Sequence, residues 1–169
     1  WGESSNGPPA TAATITRMGF DGVETFIASG NVIFESRSKG GAALVRKIEA
    51  GLHKALGYEV KTFLRTGSEV AGIAALKPFT PARREAGATK VVGFLAESPS
   101  EDAHNALRKL RSDSDDFQVN GRDIYWVSTL KQSESKISNV LLERMLKTST
   151  TFRGINTIRR LTAKYAFVP

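Results

Sequence analysis

The chain has 169 residues, 40% of them hydrophobic, enough to bury a core in one domain or in two small ones. With no cysteine and only two histidines, disulfides, thiolate chemistry, cysteine-ligated zinc and a multi-histidine metal site are excluded, and no cofactor is expected. The net charge is +7, and the excess gathers late: no acid follows Glu143, whereas Arg144, Lys147, Arg153, Arg159, Arg160 and Lys164 do.

In chain order, Pro8 and Pro9 open a first helix, where a missing N–H costs nothing, and Gly19 stops it. A hairpin over 22–28 and 32–36 follows, joined by Ser29, Gly30 and Asn31. A three-residue loop would set Phe26 opposite Phe34 and keep one face apolar, and Gly30 and Asn31 both tolerate the positive φ it needs. Leu44, Ile48 and Leu52 keep a helical period over 42–56, Gly57 ends it, and His53 sits on the polar side. Residues 58–65 alternate as a strand.

Thr66 and Glu69 have capping-box spacing, so a short helix is expected to Leu76, and the proline-bearing stretch 77–88 reads as a linker. Residues 89–96 form a strand, and a helix to Arg111 starts at a second capping box, Ser98 with Glu101. Asn120-Gly121 marks a hairpin between 116–119 and 122–128. A helix through Ile137, Val140, Leu141 and Met145, a short strand near 149–152 and a helix over 155–166 complete the chain.

The expected class is therefore α+β, with two ferredoxin-like (split βαβ) halves carrying antiparallel sheets, the first lacking its opening strand. The boundaries fall at 1–65, 66–88 and 89–169. No apolar run approaches the length that spans a membrane, no signal-peptide pattern is visible, and the expected compartment is the cytoplasm.

There is no phosphate-binding loop, dinucleotide fingerprint or zinc-protease motif. Asp113, Asp115 and Asp116 read as a solvated acidic loop rather than a magnesium site. Tyr125 and Trp126 alternate, so one should face out, where an aromatic could stack a base, but no basic–aromatic signature accompanies them and packing is the favoured reading. The stretch TTFRGINTIRR (150–160) sets Arg153, Asn156 and Thr157 where a loop enters a basic helix with Arg159 and Arg160. Free N–H groups at a helix start, completed by Arg and Thr, can hold an anion, although Asn156 or Thr157 could instead cap the helix. Ser29 lacks a histidine near it in sequence, so its stretch reads as a turn.

GFDGVETFIASGNVIFES (19–36), SESKIS (133–138) and TTFRGINTIRR resemble the DUF1697 family of small bacterial proteins. Ser29, Gly30 and Asn31 match the family's Ser-Gly-Asn block, Ser135 and Lys136 its Ser-Lys pair, and Arg153, Asn156 and Thr157 its closing Arg-x-x-Asn-Thr pattern. The opening strand and Arg-Gly-Ile-Asn loop usual in the family have no counterpart in WGESSNGPPATA. The family's Asn-Trp after the closing arginine is Gly154-Ile155 in this chain. The resemblance spans roughly residues 17–165 and implies a two-part α+β fold but no reaction.

These readings converge on a polar cleft where the halves meet, lined by Asn31, Lys136, Arg153, Asn156 and Thr157, that binds an anionic ligand, either nucleic acid or a phosphorylated metabolite. Ser29, Ser135, Arg159 and Arg160 complete the candidate set. The alternatives are an enzyme on an anionic substrate, with Lys136 and Arg153 stabilising charge, and a protein-interaction or homodimer module.

Overall fold

A computed structural model describes residues 7–27, 30–38 and 41–169. The chain is a mixed α and β protein that divides into two compact units, Trp1–Leu64 and Arg65–Pro169.

In the first unit, α1 (Pro8–Arg17) begins on its two prolines and packs on α2 (Ala42–Leu56). The inward stripe of α2 is Leu44, Ile48 and Leu52, against which Met18, Phe20 and Phe34 pack. Burying each such leucine contributes about 1.5–3 kcal/mol. Gly57, at φ +81°, ends α2 in the left-handed conformation that glycine adopts without strain, and His53 is exposed as expected.

The hairpin of β1 (Asp21–Phe26) and β2 (Asn31–Glu35) departs from the expected register. Phe26 pairs with Asn31, Thr25 with Val32 and Glu24 with Ile33, so the connection is residues 27–30 and Phe26 does not face Phe34. Two local features override the alternation argument. The Asn31 amide donates to Phe26 O at 3.1 Å, closing the hairpin from within the ladder instead of forming part of its loop. The ladder also slips between Asp21 and Glu24, and Gly22 there has φ +57°. A bulge at a left-handed glycine breaks the period of two on which the expected register relied.

The strand expected over 58–65 is absent: these residues join no ladder. In a split βαβ order the last strand pairs with the first, and the described residues of this unit begin with a helix, so the segment has no neighbouring strand to bond. It is held instead by side chains. Val60 and Leu64 pack towards α2, and Thr62 N–H donates to the Glu49 carboxylate at 2.9 Å.

The second unit opens with α3 (Gly67–Ala75), whose capping box forms as its sequence dictates. Thr66 N–H donates to Glu69 at 2.7 Å, and Glu69 N–H donates to the Thr66 hydroxyl at 3.2 Å. The stretch expected as a linker contains a short helix, α4 (Pro81–Ala86), capped by Thr80 and started by Pro81. Arg83 anchors it by donating to the carbonyls of Ser112 and Asp113.

The order β3 (Thr89–Phe94), α5 (Glu101–Leu110), β4 (Asp115–Asn120), β5 (Asp123–Ser128), α6 (Asn139–Leu146), β6 (Thr151–Gly154) then builds an antiparallel sheet with strand order β4-β5-β3-β6, followed by α7 (Ile155–Lys164). The cap of α5 is Ser100, whose hydroxyl accepts from Ala103 N–H, and not Ser98. Asn120 pairs with Asp123, so the tight turn is Gly121-Arg122, one residue later than expected; Gly121 takes the positive φ.

Side chains alternate across the sheet. Ile124 and Trp126 meet Leu107, Leu142 and Leu146 of α5 and α6 in the main core. On the other face lie Val92, Tyr125 and Arg153, covered by α7 and α4, with α3 packed on α7. Both faces are therefore covered. Tyr125 is 3% exposed and Trp126 2%, so the expectation that one of them faces out does not hold. The expected solvated acidic loop is also corrected, because Asp115 is buried and accepts from Trp126 Nε1 at 2.9 Å and from the Ser112 hydroxyl. Asp116 is paired with Arg111 at 2.6 Å.

Candidate functional site

The residues expected to hold a ligand are spread over several elements. Ser29 lies outside the described residues. Asn31 belongs to β2 of the first unit, where its amide is spent on the hairpin. Ser135 and Lys136 precede α6: the Ser135 hydroxyl accepts from Ile137 N–H at 3.1 Å, and Lys136 is exposed. Asn139, at the start of α6, donates to Thr150 O at 3.3 Å, joining that loop to the entry of β6. Thr150 itself is buried structure, donating to Phe94 O at 3.0 Å.

Arg153 sits on β6 opposite Val92, half-buried, and donates to the Thr151 hydroxyl at 2.7 Å and to Phe152 O at 2.9 Å. Burial lowers its pKa from the usual arginine value. Asn156 and Thr157 fall in the first turn of α7, but the cap residue is Gly154 and no side chain caps this helix, so neither performs the capping role considered from sequence. Arg159 and Arg160 are exposed on the same helix.

Sequence reasoning missed a cavity in this unit. It measures about 270 Å³ and lies over the face of the sheet that bears Val92, Tyr125 and Val127. Residues 76–79, Pro81 and Ile155 supply further walls. Its floor is buried and apolar, while its cationic residues, Lys77, Arg84, Lys90 and Arg159, stand against the single acid Glu85. Arg84 is fixed by a bond from its Nε to Phe79 O at 3.2 Å; Lys77, Lys90 and Arg159 are exposed. The stretch LKPFTPARRE carried the usable signal: two aromatic or aliphatic residues among prolines, and a Thr-Pro helix start, mark a chain that packs rather than one that links.

Arg159 is the point at which the basic C-terminal stretch and the cavity coincide. A cavity of this size, apolar below and cationic around, can take a small molecule with an anionic group and exclude bulk water from the rest of it. Among the described residues no group of three His, Asp or Glu gathers as a metal would require, and no helix is long and apolar enough to cross a membrane.

Tyr125 forms part of the cavity wall, and its hydroxyl is the buried side-chain atom without a hydrogen-bond partner among the described residues. Burial first, and the charge of Asp123 second, push its pKa up to about 12; Asn120 approaches and eases the shift without closing a well-formed bond. A buried, unbonded hydroxyl costs stability, so Tyr125→Phe is expected to leave the protein equally stable or to stabilise it by about 1 kcal/mol. Urea unfolding followed by circular dichroism checks this; a loss above about 1 kcal/mol would mean that the hydroxyl has a partner.

No curated protein and no solved structure gives a significant match to this chain. The match to one family model covers residues 9–125, taking in the hairpin block, β3, β4 and the first half of β5, and ending before the Ser-Lys pair and the closing arginine segment. With more than half of its length matched, the chain belongs to the family described as "Protein of unknown function (DUF1697)".

Proposed function

We propose that this protein is a cytoplasmic, non-catalytic module that binds a small anionic molecule on its second unit. That unit is read as a split βαβ fold of the ferredoxin-like kind, from its βαββαβ order and β4-β5-β3-β6 sheet. The observation that carries the function is the set of four basic side chains, opposed by one acid, around an apolar cavity. Arg159 belongs to a C-terminal stretch without acids, so the local potential favours anions over a distance set by the ionic strength.

Of the two partner classes read from sequence, a small molecule is better supported than nucleic acid. Stacking of bases needs an accessible aromatic platform, and Tyr125 and Trp126 are both covered. The enzyme reading gains nothing from the buried acids: Asp115 is bonded to Trp126 and Ser112, and Asp123 to Arg65.

Thermal shift with inorganic phosphate and with simple organic acids at low salt tests the function. Stabilisation is expected that fades as salt rises, and Arg159→Gln should weaken it about two- to fivefold, the effect of one rim charge of about 0.5–1 kcal/mol. An unchanged Tm with every anion, in the native protein and the variant alike, would reject the reading.

A further inference from the structure

We propose that the ligand of this cavity is an amphipathic organic monoanion, with an apolar ring system inserted over the sheet and a carboxylate or sulfonate left at the cationic rim. This rests on the anion-binding reading above and names the chemical class that the site selects.

Three features carry it. The first is the division of polarity. The apolar surface open to the cavity comes from Leu76, Pro78, Phe79 and Ile155, which stand as a wall over a base of Val92, Tyr125 and Val127 already closed to water. Such a wall favours a ring or an aliphatic body, whose apolar surface leaves water against it. A fully hydrated anion such as phosphate gains nothing from it.

The second is the form of the charge. Strong phosphate sites converge backbone N–H groups and a guanidinium fork on one point. In this cavity the exposed cations Lys77, Lys90 and Arg159 come from three separate segments, and Arg84 gives its Nε to Phe79 O. Dispersed charges of this kind suit one diffuse negative group at the opening and give a modest rather than a large electrostatic gain.

The third is size. About 270 Å³ lies at the small end of ligand pockets, enough for one or two fused rings and too small for a polymer or a nucleotide with its sugar and phosphates enclosed.

The probes are 1-naphthoate, its neutral counterpart 1-naphthalenemethanol, inorganic phosphate and ATP, titrated by calorimetry into the full chain at low salt. Naphthoate is expected to bind at least tenfold more tightly than the alcohol and more tightly than phosphate. Lys90→Gln should weaken naphthoate about two- to fivefold and leave the alcohol unchanged. Ile155→Trp, which fills the mouth from a half-buried position, should abolish binding of both ring compounds while the circular dichroism spectrum stays native.

If phosphate or ATP binds in an Arg159-dependent manner and naphthoate does not, the ligand class is wrong and the anion-binding function stands. If the alcohol binds as well as naphthoate, charge plays no part and both readings fall. Failure of all four probes also overturns both. Naphthoate binding that survives Ile155→Trp at full strength would place the site elsewhere and overturn this inference alone.

Discussion

Trp126→Ala is expected to lower the stability of the protein by about 3–5 kcal/mol, a large share of the 5–15 kcal/mol typical of a domain. The indole is 2% exposed and lies at the centre of the main core. Phe117 stacks on it with ring centres 5.8 Å apart, and Phe152 meets it edge-on at 6.2 Å. Phe152 in turn lies opposite Gly93, where an added Cβ would come within 2.5 Å of the ring. That glycine gives the ring its place beside Trp126. Trp126→Phe separates the two parts of the cost. It retains most of the ring packing but removes the Nε1 bond at 2.9 Å, leaving the buried Asp115 carboxylate with the Ser112 hydroxyl as its remaining side-chain donor. A loss of about 1–3 kcal/mol is expected for that orphaned acceptor. Urea unfolding measures both. A cost below about 1 kcal/mol for Trp126→Ala would contradict the packing described.

The same residues show what the sequence disclosed and what it withheld. Helices with a strong local signal were legible: Pro8 at the start of α1, the period of α2 and the Thr66–Glu69 box each stand where their residues place them. So was the element order from β3 onward, because each strand there is bounded by a helix or a turn residue. Non-local facts were not. Burial of both Tyr125 and Trp126 depends on α4 and α7 lying over the far face, and the alternation in β5 is the same whether that face is covered or wet. The hairpin register turned on Gly22, a lone glycine in a strand that signals a bulge, and on the side chain of Asn31. Residues 58–65 carry a strand pattern, but pairing needs a partner strand, which no local pattern reports. Of the candidate site, the C-terminal charge was legible and led to Arg159; the cavity beside it was not, because its walls come from segments far apart in the chain.

Arg65→Met is expected to cost about 3–5 kcal/mol, the usual effect of removing one partner of a buried ion pair. The Arg65 side chain is 4% exposed and that of Asp123 11%, and the two meet at 2.7 Å. Arg65 also donates to the carbonyls of Leu95 and Arg122, both at 3.0 Å, and lies 5.3 Å from the centre of the Phe94 ring. Removing it therefore leaves a buried carboxylate without its cation and two carbonyls with one donor fewer. The pair itself is not a large net gain. Burial outweighs the attraction on both sides, raising the pKa of Asp123 and lowering that of Arg65 from their usual values. The double variant Arg65→Met, Asp123→Leu should consequently recover most of the loss, as apolar replacements of buried pairs commonly do. The pH dependence follows from the sign of the Asp123 shift. A carboxyl whose pKa is raised in the folded state is better tolerated protonated, so the stability it contributes is present at low pH and is lost as pH rises through the raised value. In Arg65→Met that carboxyl has lost its cation, and the deficit relative to the native protein should narrow as pH falls from 7 towards the ordinary aspartate range of about 4. Unfolding free energies of the native protein, Arg65→Met, Asp123→Leu and the double variant at pH 7 and pH 4.5 decide the matter. A double variant no more stable than Arg65→Met would show that the ion pair stabilises the fold outright, and a deficit in Arg65→Met that widens on acidification would show that Arg65 does not favour the ionised carboxylate.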